Sequence, residues 1–95
     1  MLREINISGN FDFCPDDPIY QEHFPGMPVV PGSYIIGAFI RRARNEGEEI
    51  TAFREFSFRA FLPPGSYRYS MNTTEKGLFC VLYREGKAVV EGFLE

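Results

Sequence analysis

The chain has 95 residues, of which 44% are hydrophobic and 16% aromatic, and it carries ten Lys and Arg against thirteen Asp and Glu. This composition is too apolar for a disordered chain, and the length leaves room for one core, so we expect a single domain over 1–95. The net charge of −3, without a basic stripe, argues against a nucleic-acid-binding protein.

The two cysteines, Cys14 and Cys80, lie far apart and form no CxxC motif, so the sequence has neither a metal signature nor a disulfide framework. We therefore predict no metal and no cofactor. The first residues have no apolar signal core, and no apolar run is long enough to span a membrane. The pattern indicates a reduced cytoplasmic protein that does not act at a membrane.

The first predicted element is a strand in LREINISGNFDF, where apolar residues alternate with polar ones. Gly9-Asn10 interrupts this pattern and indicates a bulge or kink. A loop rich in proline and aspartate follows. The next element is a helix from Ser33 to about Asn45, with apolar residues at helical spacing.

The predicted helix has start and stop signals at both ends. Ser33 or Gly32 occupies the place of an N-cap, and Gly47 can end the helix. Three arginines suit the negative end of the helix dipole: Arg41, Arg42 and Arg44.

The second half of the chain predicts four antiparallel strands, in ITAFREFSFRAFL, SYRYSM, LFCVLYR and AVVEGFLE, with Glu85-Gly86 as the last hairpin turn. The fold class is therefore α+β, with one central helix wrapped by a curved antiparallel sheet of about five strands. Such a sheet leaves an exposed edge strand, and the pairing of two protomers edge to edge would cover it.

The segment HFPGMPVVPG, which precedes the helix, is unusually rigid. Three prolines hold it extended: Pro25, Pro28 and Pro31. Gly26 and Gly32 allow close backbone approach or positive φ. We expect this strap to fix His23 beside the free N–H groups at the helix start. A histidine can take a proton near pH 7, and the N–H groups can stabilise an oxyanion, so together they could enolise a thioester. The alternative is a structural histidine in a stiff loop.

This segment resembles the signature of the hotdog-fold 3-hydroxyacyl-ACP dehydratases (the FabA/FabZ type, where ACP is the acyl carrier protein). Seven positions carry the match: His23, Phe24, Pro25, Gly26, Pro28, Pro31 and Gly32. A weaker match is FSFRAFLPPGSYRYS, which resembles the strand and proline-glycine turn after the helix.

The resemblance implies a hotdog fold, with two protomers pairing their sheets, and a hydro-lyase acting on an acyl-ACP or CoA thioester in fatty-acid or related metabolism. It implies that His23 removes the α-proton and that the Gly32 N–H polarises the thioester carbonyl. We expect six further residues to contact substrate: Phe24, Pro31, Ser33, Tyr34, Gly37 and Arg41.

The family's second catalytic group is a carboxylic acid on the partner's helix, five positions after the glycine that matches Gly32. This chain has Gly37 there. The glycine could serve close helix packing, or Arg41 could fill the space, where it could bind an anion but not act as an acid. Arg41 could equally only cap the helix. Four residues are candidate substitutes for the acid: Asp16, Asp17, Glu22 and Tyr34.

Three functions are compatible with this pattern. The chain could be a dehydratase with a relocated acid, working as a homodimer or higher oligomer. It could be a binding module for acyl thioesters or their carrier that has lost the elimination chemistry. It could also be one subunit of a heterodimer whose partner supplies the acid. A thioesterase is a weaker alternative, because hotdog thioesterases also commonly use an acid on this helix.

Overall fold

The computed structural model describes residues 4–20, 26 and 28–95. Its elements are β1 (Asn6–Phe13), α1 (Gly32–Asn45), β2 (Phe53–Phe58), β3 (Gly65–Thr74), β4 (Gly77–Arg84) and β5 (Lys87–Leu94). All neighbouring strands are antiparallel, in the sheet order β1-β3-β4-β5-β2. The predicted α+β arrangement of one helix and five strands is confirmed. Within these residues, no helix has the length and apolar character needed to cross a membrane.

The core lies between α1 and one face of the sheet. On the helix, Phe39 and Ala43 are fully buried and Ile35 is nearly so. The strands place alternate residues against them because side chains of a strand alternate between faces. The fully buried strand residues are Met71, Cys80, Leu82, Val90 and Leu94. Burial of each large aliphatic side chain contributes about 1.5–3 kcal/mol, so this layer holds the helix on the sheet.

Strand β1 pairs with β3 in one continuous register, from Asn6 opposite Asn72 to Phe13 opposite Gly65. The bulge that the sequence predicted as one possibility at Gly9-Asn10 is therefore wrong. The glycine serves a different purpose, because a Cβ on Gly9 would lie 3.0 Å from the ring of Tyr69. The absence of a side chain lets that ring lie over the strand.

The helix begins after Pro31, which is its N-cap, with φ −60° and ψ 141° and no side-chain cap hydrogen bond. The predicted N-cap at Ser33 or Gly32 is wrong by one or two residues. The proline ring fixes φ, and its extended ψ turns its carbonyl toward the first turn. That carbonyl accepts the N–H of Tyr34 at 2.9 Å and of Ile35 at 3.3 Å.

The predicted end of the helix is confirmed at Gly47, whose φ of +92° suits a glycine. Two of the three arginines secure this end. Arg42 pairs with Glu46 at 2.7 Å and donates from Nε to the Tyr69 hydroxyl at 2.9 Å. Arg44 donates to a carbonyl beyond the helix. The predicted hairpin turn is also confirmed, because Glu85 and Gly86 both have positive φ.

The two thiols should differ sharply in reactivity. Cys14 is exposed, whereas Cys80 is fully buried, and burial raises the pKa of the Cys80 thiol to about 12. At pH 8 only about one Cys80 thiol in ten thousand would be ionised, and thiolates are the reactive form. We expect an aromatic disulfide reagent to modify one thiol in the native protein and two after unfolding in urea. Cys14→Ser should remove the native reaction, and two equally fast native thiols would contradict the prediction.

Candidate functional site

The end of the proline-glycine strap is anchored, just before the helix, to the loop between β2 and β3. Val30 is buried, and its N–H donates to the carbonyl of Leu62 at 2.7 Å, with Leu62 only 1% exposed. Pro31 follows directly and starts the helix. This bond fixes the helix start relative to the loop that joins β2 to β3. Gly26, farther back in the strap, has a φ of +86°, which agrees with the predicted positive φ.

Gly32 lies at the helix start beneath an aromatic ring. A Cβ on Gly32 would lie 3.0 Å from Cζ of Phe58, so no larger residue fits without moving that ring. The N–H groups of Gly32 and Ser33 donate to no acceptor among the described residues. Such free amides at a helix start can polarise a carbonyl oxygen and stabilise negative charge on it. The geometry is therefore suited to the role that the sequence predicted for Gly32.

An open cleft of about 480 Å³ lies along α1, between the helix and the end of β1 with the loop after it. The helix contributes Ser33, Tyr34 and Arg41 to its wall. The opposite wall includes the ring of Phe13 and the carboxylate of Asp17. Three of the predicted substrate-contacting residues, including the candidate acid Tyr34, therefore share a single cleft with a second candidate acid, Asp17.

Gly37 and Arg41 meet at the helix surface. A Cβ on Gly37 would contact one atom outside the helix backbone among the described residues, which is Nη1 of Arg41 at 3.4 Å. Packing of Gly37 against the sheet is therefore excluded as the reason for this glycine. The Arg41 guanidinium lies next to the place where a side chain at position 37 would begin. This agrees with the predicted alternative in which Arg41 fills the space at Gly37.

Tyr20 is a cleft residue that the sequence analysis missed. It is only 5% exposed, and burial, followed by the negative charge of Asp17, raises the pKa of its phenol. Asp17 in turn accepts the N–H of Ile19 on Oδ1 at 3.0 Å, which closes a local turn. One sequence signal could have indicated that Tyr20 is buried, because it follows Ile19 at the end of an otherwise polar loop. Its position opposite the helix depended on the tertiary fold.

The remaining predicted residues are distributed as follows. Pro31 stands at the helix start rather than in the cleft wall. Asp16 is exposed and does not line the cleft, so of the candidate acids in the described range, Asp17 and Tyr34 reach it. Three residues lie outside the described residues: Glu22, His23 and Phe24. Phe58 was predicted only as a strand residue, and its contact with Gly32 was not foreseen.

Residues 2–92 match the family model described as "ApeI-like: ApeI dehydratase". The structure is similar to the solved structure titled "The Dehydratase Heterocomplex ApeI:P from Xenorhabdus doucetiae", with a TM-score of 0.78. That match has 19% sequence identity and covers 99% of this chain and 97% of the other, which confirms the predicted hotdog fold. A comparison with curated proteins gave no match. Because the family model spans almost all of the sequence, the chain belongs to the ApeI-like dehydratase family.

Proposed function

We propose that this chain is the histidine-bearing subunit of an acyl-thioester dehydratase whose catalytic acid comes from a different, partner subunit. One observation carries the proposal. Position 37, where the resemblance places the acid, is a glycine, and among the described residues its open side faces the Arg41 guanidinium. The substrate would be a 3-hydroxyacyl group carried as a thioester on an acyl carrier protein or on CoA.

The proposed reaction needs three groups. His23 would take the proton from C2 of the acyl group, and the C–H electron pair would delocalise onto the carbonyl oxygen held by the Gly32 N–H. The pair then forms the C2–C3 double bond as the C3–O bond breaks. The departing hydroxyl must receive a proton to leave as water, and that proton requires an acid.

Among the described residues, the candidate carboxylate that lines the cleft, Asp17, is poorly placed for that role. The carboxylate of Asp17 already accepts the Ile19 amide within its own turn. A guanidinium such as that of Arg41 can bind an anion but cannot act as a general acid near pH 7. In a homodimer both copies carry Gly37, so neither site would receive an acid from the other copy. In a heteromer, a second chain with Glu or Asp at the position of Gly37 would supply that acid.

The sheet edge at β2 is suited to a partner. Strand β2 ends the sheet order, so within the described part of the chain one side of its backbone has no neighbouring strand. Three large aromatic residues are exposed on it or just after it: Phe53, Phe58 and Phe61. Phe58 also covers Gly32, so a subunit that pairs with β2 would lie beside the helix start. The other edge, β1, exposes polar residues instead. That the similar solved structure is titled a heterocomplex also supports this assembly.

Mass spectrometry of a 3-hydroxyacyl carrier protein tests the proposal directly. We expect loss of one water when this chain is mixed with a hotdog subunit that carries Glu or Asp at the position of Gly37, and no loss with either chain alone. Light scattering of the same mixture should show a mixed complex. Water loss by this chain alone would place the acid within it and contradict the proposal. Binding without turnover in every mixture would favour an acyl-binding module.

A further inference from the structure

The hydroxyl of Tyr20 has no hydrogen-bond partner among the described residues, although the residue is only 5% exposed. In the same part of the chain, every side-chain nitrogen or oxygen atom that is sealed from solvent does have a partner. The Tyr20 oxygen is therefore not sealed. Because Tyr20 lines the cleft along α1, the cleft is where this oxygen can meet a ligand.

A buried phenol without a partner is unusual. Its loss of hydration costs free energy unless a hydrogen bond replaces it. The two other buried tyrosines of the described residues follow this rule. The Tyr67 hydroxyl donates to the carbonyl of Pro63 at 2.5 Å, and the Tyr69 hydroxyl accepts Nε of Arg42 at 2.9 Å. The exception at Tyr20 requires an explanation, and a bound ligand supplies one.

We propose that the Tyr20 hydroxyl binds the 3-hydroxyl group of the acyl substrate and holds it for the acid that the partner subunit supplies. The inference rests on the proposed function. A 3-hydroxyacyl group has two oxygens near its reacting carbons, and the Gly32 N–H takes the carbonyl oxygen in the proposed reaction. The 3-hydroxyl is the oxygen left for a second donor. Ser33 and Tyr34, which follow Gly32 directly, line the same cleft as Tyr20.

The surroundings of the phenol keep it a hydrogen-bond donor. Burial, followed by the negative charge of Asp17 and then by Tyr34, raises the pKa of the Tyr20 phenol, so it stays protonated near pH 7. Asp17 does not take the phenol proton in a hydrogen bond, since its Oδ1 accepts the Ile19 amide instead. A phenol with a raised pKa can orient the leaving hydroxyl but is a poor general acid, which leaves the partner's acid necessary.

Tyr20→Phe removes the oxygen and keeps the ring. Because the hydroxyl has no partner among the described residues, we expect the midpoint of thermal unfolding to stay within about 2 °C of the wild-type value. A fall of several degrees would indicate a structural hydrogen bond and would overturn the inference.

Calorimetry with two unreactive ligands measures the proposed contact. Both are amide analogues of an acyl-CoA, with NH in place of the thioester sulfur, and only one carries the 3-hydroxyl. The full chain is used in the same mixture as for the water-loss experiment. We expect the wild type to prefer the hydroxylated analogue, and Tyr20→Phe to lower that preference at least about fivefold. Tyr83→Phe is the matched control, because its hydroxyl bonds to Ser70 at 3.1 Å outside the cleft, and it should keep the wild-type preference.

The failures of the two proposals can be told apart. An unchanged preference in Tyr20→Phe would overturn the inference, as would a wild type that binds the two analogues equally or binds neither. If the mixture removes water while the preference is unchanged, the inference alone fails. If the mixture removes no water but the preference falls in Tyr20→Phe, the acid-supplying partner is wrong and the role of Tyr20 stands.

Discussion

Replacing His23 with alanine should lower the rate of water loss from a 3-hydroxyacyl thioester by about 10²–10⁴-fold in the proposed mixed dehydratase. The physical reason is that the α-proton of a thioester is weakly acidic, and its removal needs a base held at a fixed position. The strap that carries His23 ends in the Val30–Leu62 hydrogen bond, so the variant should fold and assemble normally. The loss should therefore appear in kcat, with little change in the affinity for the carrier protein.

Mass spectrometry of the product, measured in single-turnover conditions, separates this effect from slow product release. Asp16→Asn is the matched control, because Asp16 is an exposed loop residue outside the cleft, and its activity should stay at the wild-type level. Added imidazole should restore part of the His23→Ala activity if the space left by the side chain is open to solvent. Full activity in His23→Ala would place the base elsewhere and remove the basis of the proposed function.

Gly92→Ala should lower the free energy of unfolding by about 2–3 kcal/mol, since extra atoms in a filled core force side chains and backbone to move. A Cβ on Gly92 would lie 2.3 Å from Cγ of Phe56. Real Cβ atoms do not come so close to another heavy atom. Phe56 cannot swing away easily, because its ring contacts those of Phe39, Phe53 and Phe58. For a domain of this size, the midpoint of thermal unfolding should fall by about 10 °C or more.

Urea unfolding followed by circular dichroism measures this change. Gly37→Ala is a matched control, because the same chemical change falls on an open helical position and should stabilise the protein by about 1 kcal/mol. Gly92→Ala/Phe56→Ala should lose less stability than the sum of its single variants, because the truncated ring removes the clash. An unfolding midpoint of Gly92→Ala equal to that of the wild type would show that the ring moves without cost.

The contacts of Gly92 and Gly32 show why the candidate site depends on the edge strand β2. The ring of Phe56 in β2 packs against Gly92 of β5, and the ring of Phe58, two residues later, packs against Gly32 at the helix start. A change that loosens β2 would therefore disturb both the surface proposed to bind a partner and the Gly32 N–H proposed to hold the oxyanion. We expect Gly92→Ala to weaken the mixed complex as well as the fold.

The sequence by itself determined the features that depend on a few neighbouring residues. Glycine readily adopts positive φ, so the positive φ of Gly26, the end of the helix at Gly47 and the turn at Glu85-Gly86 could be predicted from the residue types. The alternation of apolar residues likewise predicted the strands. The place of Arg41 over Gly37 followed from the four-residue spacing of one helical turn.

The tertiary structure decided the contacts between residues that are distant in sequence. The rings of Phe58, Phe56 and Tyr69 lie over Gly32, Gly92 and Gly9, respectively. No local pattern predicts these pairs, because they depend on strand order and register, which arise from pairing across the whole chain. The bulge predicted at Gly9 was wrong for that reason, since a glycine beneath a ring and a glycine at a bulge look alike in sequence. Tyr20 joined the cleft by the same long-range packing, which only the folded sheet and helix together define.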